Sequence, residues 1–160
     1  MQSIEHKFEK IIERRLSMIR VANGYTRNQT QIILPDQQPD WTPADGTILV
    51  EAADVIDDVD NDRAGNPPAV GRILPVVVTL LLFPEDTDRH TDKQLLSNFY
   101  TDAVRSITAP VDWHTFCGLS FNATTTPISY SDGDENACSA SFSVNCNYRV
   151  SETNPSEIRY

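Results

Sequence analysis

The stretch 139-SASFSVNCNYRV-150 alternates without a break: Ala140, Phe142, Val144, Cys146, Tyr148 and Val150 fall on one side of an extended chain, Ser139, Ser141, Ser143, Asn145, Asn147 and Arg149 on the other. This predicts a long strand with one core face and one face that is wet or covered by a polar partner. Just before it, 119-LSFNATT-125 has the composition of a hairpin mate, joined through the acidic, turn-rich 131-SDGDEN-136. A third apolar segment, 73-ILPVVVTLLLF-83, is well short of the roughly 20 residues of a bilayer-spanning helix and is rich in β-branched residues. It reads as a strand over 76–83, central in the sheet with something packed on each side, and Pro75 is expected only near its start.

Helical spacing takes over elsewhere. Ile4, Phe8, Ile11, Ile12, Leu16 and Ile19 form one stripe, with Glu5, Lys7, Glu9, Lys10, Glu13 and Arg14 on the other face and Asn23-Gly24 as a stop. A second helix is expected from the capping box Thr91-Asp92-Lys93-Gln94, with Leu95, Leu96, Phe99, Tyr100, Ala103, Val104 and Ile107 as its apolar face until Pro110. Short strands are expected at 30-TQIIL-34 and 46-GTILVEA-52, separated by a turn region from Pro35 to Pro43 that carries Trp41. The fold class is therefore α+β: an antiparallel or mixed sheet packed with two main helices in a single domain over 1–150, followed by a flexible tail over 151–160.

The chain has 160 residues and is 39% hydrophobic, the size and apolar content of one ordinary core. A net charge of −10 and a pI near 4.6 exclude a protein that grips phosphate with clustered Lys and Arg, so any encounter with DNA should be non-adhesive. The amino end lacks the uninterrupted apolar core of a signal peptide, which points to the cytosol. Cys117, Cys138 and Cys146 are an odd set without a C-x-x-C pair, so reduced thiols are expected rather than a disulfide framework or zinc knuckle.

The conspicuous polar feature is 51-EAADVIDDVDNDRAGNPP-68, with Asp54, Asp57, Asp58, Asp60 and Asp62 close together. Asp58-x-Asp60-x-Asp62 matches the opening of a calcium loop, but Arg63 stands where the turn needs glycine and Ala69 where it needs the bidentate glutamate. A long, solvated acidic connection is the expectation. The remaining chemistry is equally thin. The serines lie outside a nucleophile elbow, His114 and Cys117 have no recognisable context, and His6, His90 and His114 lack ligand spacing. Six glycines build no phosphate loop, and the sequons at Asn28 and Asn122 lack a secretory route. No catalytic, cofactor-binding or metal residues are expected.

The order of features then becomes informative: an amphipathic amino-terminal helix leading into Gly24-Tyr25, a strand, a Trp-Pro stretch, 46-GTILVEA-52, 75-PVVVTLLLF-83, a capped helix ending near Trp113, and a closing alternating strand. Over roughly residues 1–150 this order resembles the tail terminator family of long-tailed bacteriophages, the lambda-like minor tail protein U group and related tail-completion proteins. The resemblance implies a non-enzymatic virion protein of the tail and neck, assembled in the host cytoplasm. It would form a homo-oligomeric ring, a hexamer, that docks on the tail tube protein, stops polymerisation and meets the head-tail connector.

In such a ring, Asp57, Asp58, Asp60 and Asp62 would either face the channel, repelling DNA phosphates as the duplex passes, or lie on the ring face against a basic partner. Ser141, Ser143 and Asn145 on the polar strand face, and Ile158, Arg159 and Tyr160 in the tail, are the candidates for contacts within the ring. Tyr25 and Trp41 are expected in the core. The rival readings are another neck component, such as a head-closure or tail-completion protein, a small calcium-binding protein or hydrolase using the Asp54–Asp62 cluster, and a monomeric cytosolic adaptor.

Overall fold

A computed structural model of the chain describes residues 3–36, 44–65, 67–83, 89–108, 120–124 and 138–159. Two helices, α1 (Ile4–Leu16) and α2 (Arg89–Thr108), pack on a mixed, mostly antiparallel sheet, so the α+β class holds. Among the described residues the sheet has seven strands: β1 (Gln31–Ile33), β2 (Thr47–Ala52), β3 (Ile56–Asp57), β4 (Ala69–Leu82), β5 (Ser120–Thr124), β6 (Cys138–Ser151) and β7 (Asn154–Arg159). The spatial order is β1-β2-β4-β6-β5, with β3 beside β4 and β7 beside β6.

The spine of the sheet is the antiparallel pair β4–β6, in register from Ala69↔Ser151 to Leu82↔Cys138. The period-two pattern of β6 is matched by burial: Ala140, Phe142, Val144, Cys146, Tyr148 and Val150 are buried with Leu74, Val76, Val78, Leu80 and Leu82 of β4. Both helices cover this one face. The Phe8 ring of α1 lies 5.4 Å from Tyr148, and Tyr100 of α2 meets Phe142 edge-on, also at 5.4 Å. Phe8, Ile12, Leu16, Leu96, Phe99, Ala103 and Ile107 complete a single core with Ile48 and Val50 of β2.

Among the described residues both helices lie on the same side of the sheet, so they do not supply the cover expected on each face of β4. The opposite face presents Leu49, Val77, Thr79 and Leu81 beside Ser141, Ser143 and Asn145, all half-buried. Pro75 is also not at the start of its strand but near the middle of β4. β2 ends at Ala52↔Val76 and β3 begins at Ile56↔Ile73, so Pro75 falls in the gap between them. Its carbonyl faces that gap, accepting from the Ala53 amide at 2.8 Å. In an extended residue the nitrogen points the same way, so no ladder bond needs its missing N–H.

Other boundaries differ in informative ways. α1 stops at Leu16, and Gly24, at φ 85°, ends the following 3-10 turn over Val21–Asn23 rather than the helix itself. Ile19 is buried beyond the helix end, and Glu9, expected on the polar face, is buried where α1 crosses the sheet. β1 pairs parallel to β2, which the thirteen intervening residues permit. α2 begins at Arg89, so Thr91 lies within its first turn instead of capping it, a shift within the usual fraying of helix ends. Residues 154–159, expected to form a loose tail, are β7, antiparallel to β6 with Val150 opposite Ile158. Trp41, most of the 35–43 turn region, Trp113, His114, Cys117, the 131–136 loop and Tyr160 lie outside the described residues.

Candidate interaction surfaces

The acidic connection is not a slack loop. After β3 it makes a 3-10 turn over Val59–Asn61 and folds back on β4 at Gly71. The Asp58 amide donates to the Gly71 carbonyl at 3.1 Å, and the Gly71 amide donates to Asp62 Oδ1 at 2.7 Å. Arg63 and Ala69 exchange backbone bonds of 2.8 and 2.9 Å. Arg149 of β6 reaches across, its Nε donating to the Asn61 carbonyl at 2.7 Å, and Asn61 Nδ2 donates to Asp58 Oδ2. Gly71 makes this approach possible: a Cβ there would overlap the Asp58 carbonyl oxygen and stand 2.9 Å from Asn61 Cβ.

The five aspartates thus separate by role. Asp58 and Asp62 hold the turn, and Asp57 pairs with Arg72 at 2.7 Å while staying largely exposed. Asp54 and Asp60 are exposed and have no basic partner among the described residues. Among the described residues no three His, Cys, Asp or Glu side chains converge as ligands would. The spacing that resembles a calcium loop is here an Asx-type backbone clamp.

Apolar side chains that sequence patterning passed over share this surface. Among the described residues six large apolar side chains are exposed, and three of them, Val55 (39%), Ile56 (54%) and Val59 (73%), lie between these aspartates. Their signal was available: valine and isoleucine gain nothing in a solvated acidic spacer. Two more, Met18 (46%) and Val21 (57%), follow the end of α1 among the exposed Arg14 and Arg20. That segment is shaped by Asn23 Nδ2, which donates to the Met18 carbonyl, and by the Val21 amide, which donates to Asn28 Oδ1, both at 2.9 Å.

The remaining sequence candidates divide. Ser141, Ser143 and Asn145 do share the helix-free face of the sheet, opposite Thr79, Val77 and Pro75. Ile158 and Arg159 lie in β7, opposite Val150 and Arg149, so that segment is bound to its own sheet. Tyr25 packs against the core beneath the Arg105 guanidinium, 4.9 Å from its ring centre.

Burial pushes the Glu9 carboxyl above its usual 4.5; neighbouring His6 works against that shift. Burial likewise raises the Tyr148 hydroxyl.

What the fold and its surfaces define is an α+β domain in which, among the described residues, one sheet face is covered by both helices and the other by none. No protein-family model matches the chain, and comparison with curated proteins finds no significant match.

Proposed function

We propose that this chain is a structural virion protein of a long-tailed phage that caps the tail tube as a homo-oligomeric ring, stops tube polymerisation and offers a second surface to the head-side connector. The observation that carries this reading is the one-sided burial of the sheet. Leu49, Val77, Thr79 and Leu81 beside Ser141, Ser143 and Asn145 make a broad, mixed apolar and polar surface with no helix over it among the described residues. Such a balance is that of protein interfaces in general. The order of elements supports it as well, since α1, the strands through β4, α2 and the closing strand β6 follow one another as the family resemblance leads one to expect. The net charge of −10 gives passing DNA no adhesive surface.

The test is electron microscopy of tubes polymerised from the tail-tube protein of the same genome, with and without this chain. Shorter tubes carrying a distinct ring at one end are expected. Unchanged tubes with bare ends would reject the terminator role and move the protein to the head side of the neck or out of the virion.

A further inference from the structure

The two exposed apolar patches carry opposite charge and sit at opposite ends of the molecule. Val55, Ile56 and Val59 are flanked by Asp54 and Asp60, and Met18 and Val21 by Arg14 and Arg20. The acidic patch is anchored where Ile56 and Asp57 pair with Ile73 and Arg72, at one end of β4. The amino-terminal half of α1 lies over this end, with Phe8 on Tyr148, the partner of Arg72. The basic patch lies at the other end: the Ile19 carbonyl accepts from Gln29, the Thr30 amide donates to Gly46, and the Gly46 amide donates to Leu81. Arg72 and Leu81 are nine residue steps apart along β4, about 30 Å in an extended chain.

The patches therefore cannot satisfy one another within one chain. Complementary surfaces at opposite ends of a single molecule define a heterologous contact, which repeats head to tail and closes into a ring where the rotation permits. We infer that the occupant of the Val55–Ile56–Val59 surface is the basic end of α1 in a second copy of this chain, with Asp54 and Asp60 set against Arg14 and Arg20. The clamp at Gly71 prepays the ordering of this segment, since Asp58, Asp62 and Arg149 already fix its backbone. The inference takes its setting from the proposed ring, names the surfaces that build it, and replaces a channel-lining role for the acidic loop with a subunit contact.

Two double variants of the full chain test it in sedimentation velocity over a concentration series: Asp54→Lys with Asp60→Lys, and Arg14→Glu with Arg20→Glu. Each alone should raise the concentration of half-assembly by about ten-fold or more, the scale of losing charge complementarity at a contact. An equimolar mixture of the two should assemble again, because each reversed patch meets its complement on the other chain. Val59→Ser, a surface change that leaves the charges alone, should also weaken assembly.

A wild-type chain that stays monomeric throughout the series overturns the inference. So do variants that assemble as the wild type does, and so does a mixture that stays dissociated while both variants melt at the wild-type temperature. Assembly through these patches without tube capping would reject the terminator reading and leave the contact standing; capping by rings indifferent to all these variants would do the reverse.

Discussion

A methyl group at Gly71 has no room, because the acidic turn lies directly on its α-carbon. Gly71→Ala must either lift the Asp58–Asn61 turn off β4 or distort the strand, and overpacking of this kind costs about 1–3 kcal/mol. A lowered urea midpoint with unchanged slope is the expected result; an unchanged midpoint would show that the turn is not held where it lies. Glu9 makes a different case, a carboxyl whose burial disfavours its ionised form. Its folded-state value lies above the usual 4.5 through burial, so between 4.5 and that raised value the native chain binds more of a proton than the unfolded chain does. Stability from this group therefore falls as pH rises from about 4.5 through the raised value, and the penalty is complete above it. Glu9→Gln should be more stable than the wild type at neutral pH and should lose that advantage at acid pH; parallel stability curves for the two proteins would sink this account. Neither residue was legible in the sequence. The glycine requirement arises from a turn ten to thirteen residues earlier that lies against the strand, and Glu9 sits on what helical spacing marks as a polar face until α1 is laid on the sheet.

Elements were legible wherever their own periodicity was decided by a single buried face. β6 and α1 are such cases, and so is the body of α2, because every second or every third to fourth residue meets the same core. β7 was not, since 154-NPSEIR-159 has a proline and no alternation, and only the unpaired edge of β6 beside it makes it a strand. Nor was the parallel sense of β1, because alternation records which way side chains face and not which way the chain runs. The docking of α2 depends on polar groups that no pattern reveals. Asp102 is buried and accepts from both the Thr26 amide, at 2.9 Å, and the Thr26 hydroxyl, while Arg105 Nη1 donates to the Gly24 carbonyl at 3.1 Å. Asp102→Ala should thus cost about 1.5–3 kcal/mol, the range for hydrogen bonds to a charged group. Asp102→Asn, which keeps an acceptor, should recover part of it in the same thermal denaturation series, and equal melting of Asp102→Ala and wild type would remove this pin from the packing of α2.

For the whole molecule the decisive asymmetry is that one sheet face carries both helices while the other ends at side chains half open to solvent. Ser143 is near the middle of that open face, opposite Val77 of β4 and Thr124 of β5, and its side chain is half-buried. A long cation there can extend along the sheet surface into water, so Ser143→Arg should change stability by no more than about 0.5 kcal/mol, as surface substitutions generally do. A face that serves only to close the fold would tolerate it without any further effect. A face that docks on a tube or a neighbouring subunit would not, because an added charge must be desolvated or clash when the surfaces meet. Ser143→Arg is therefore expected to melt within a few degrees of wild type and to lose tube capping in the microscopy assay. Variants of the Val55–Ile56–Val59 patch should instead lose assembly first and capping as a consequence. If Ser143→Arg caps tubes as well as the wild type does, the helix-free face is not the docking surface, and the two charged ends of the molecule become the places to look for every contact it makes.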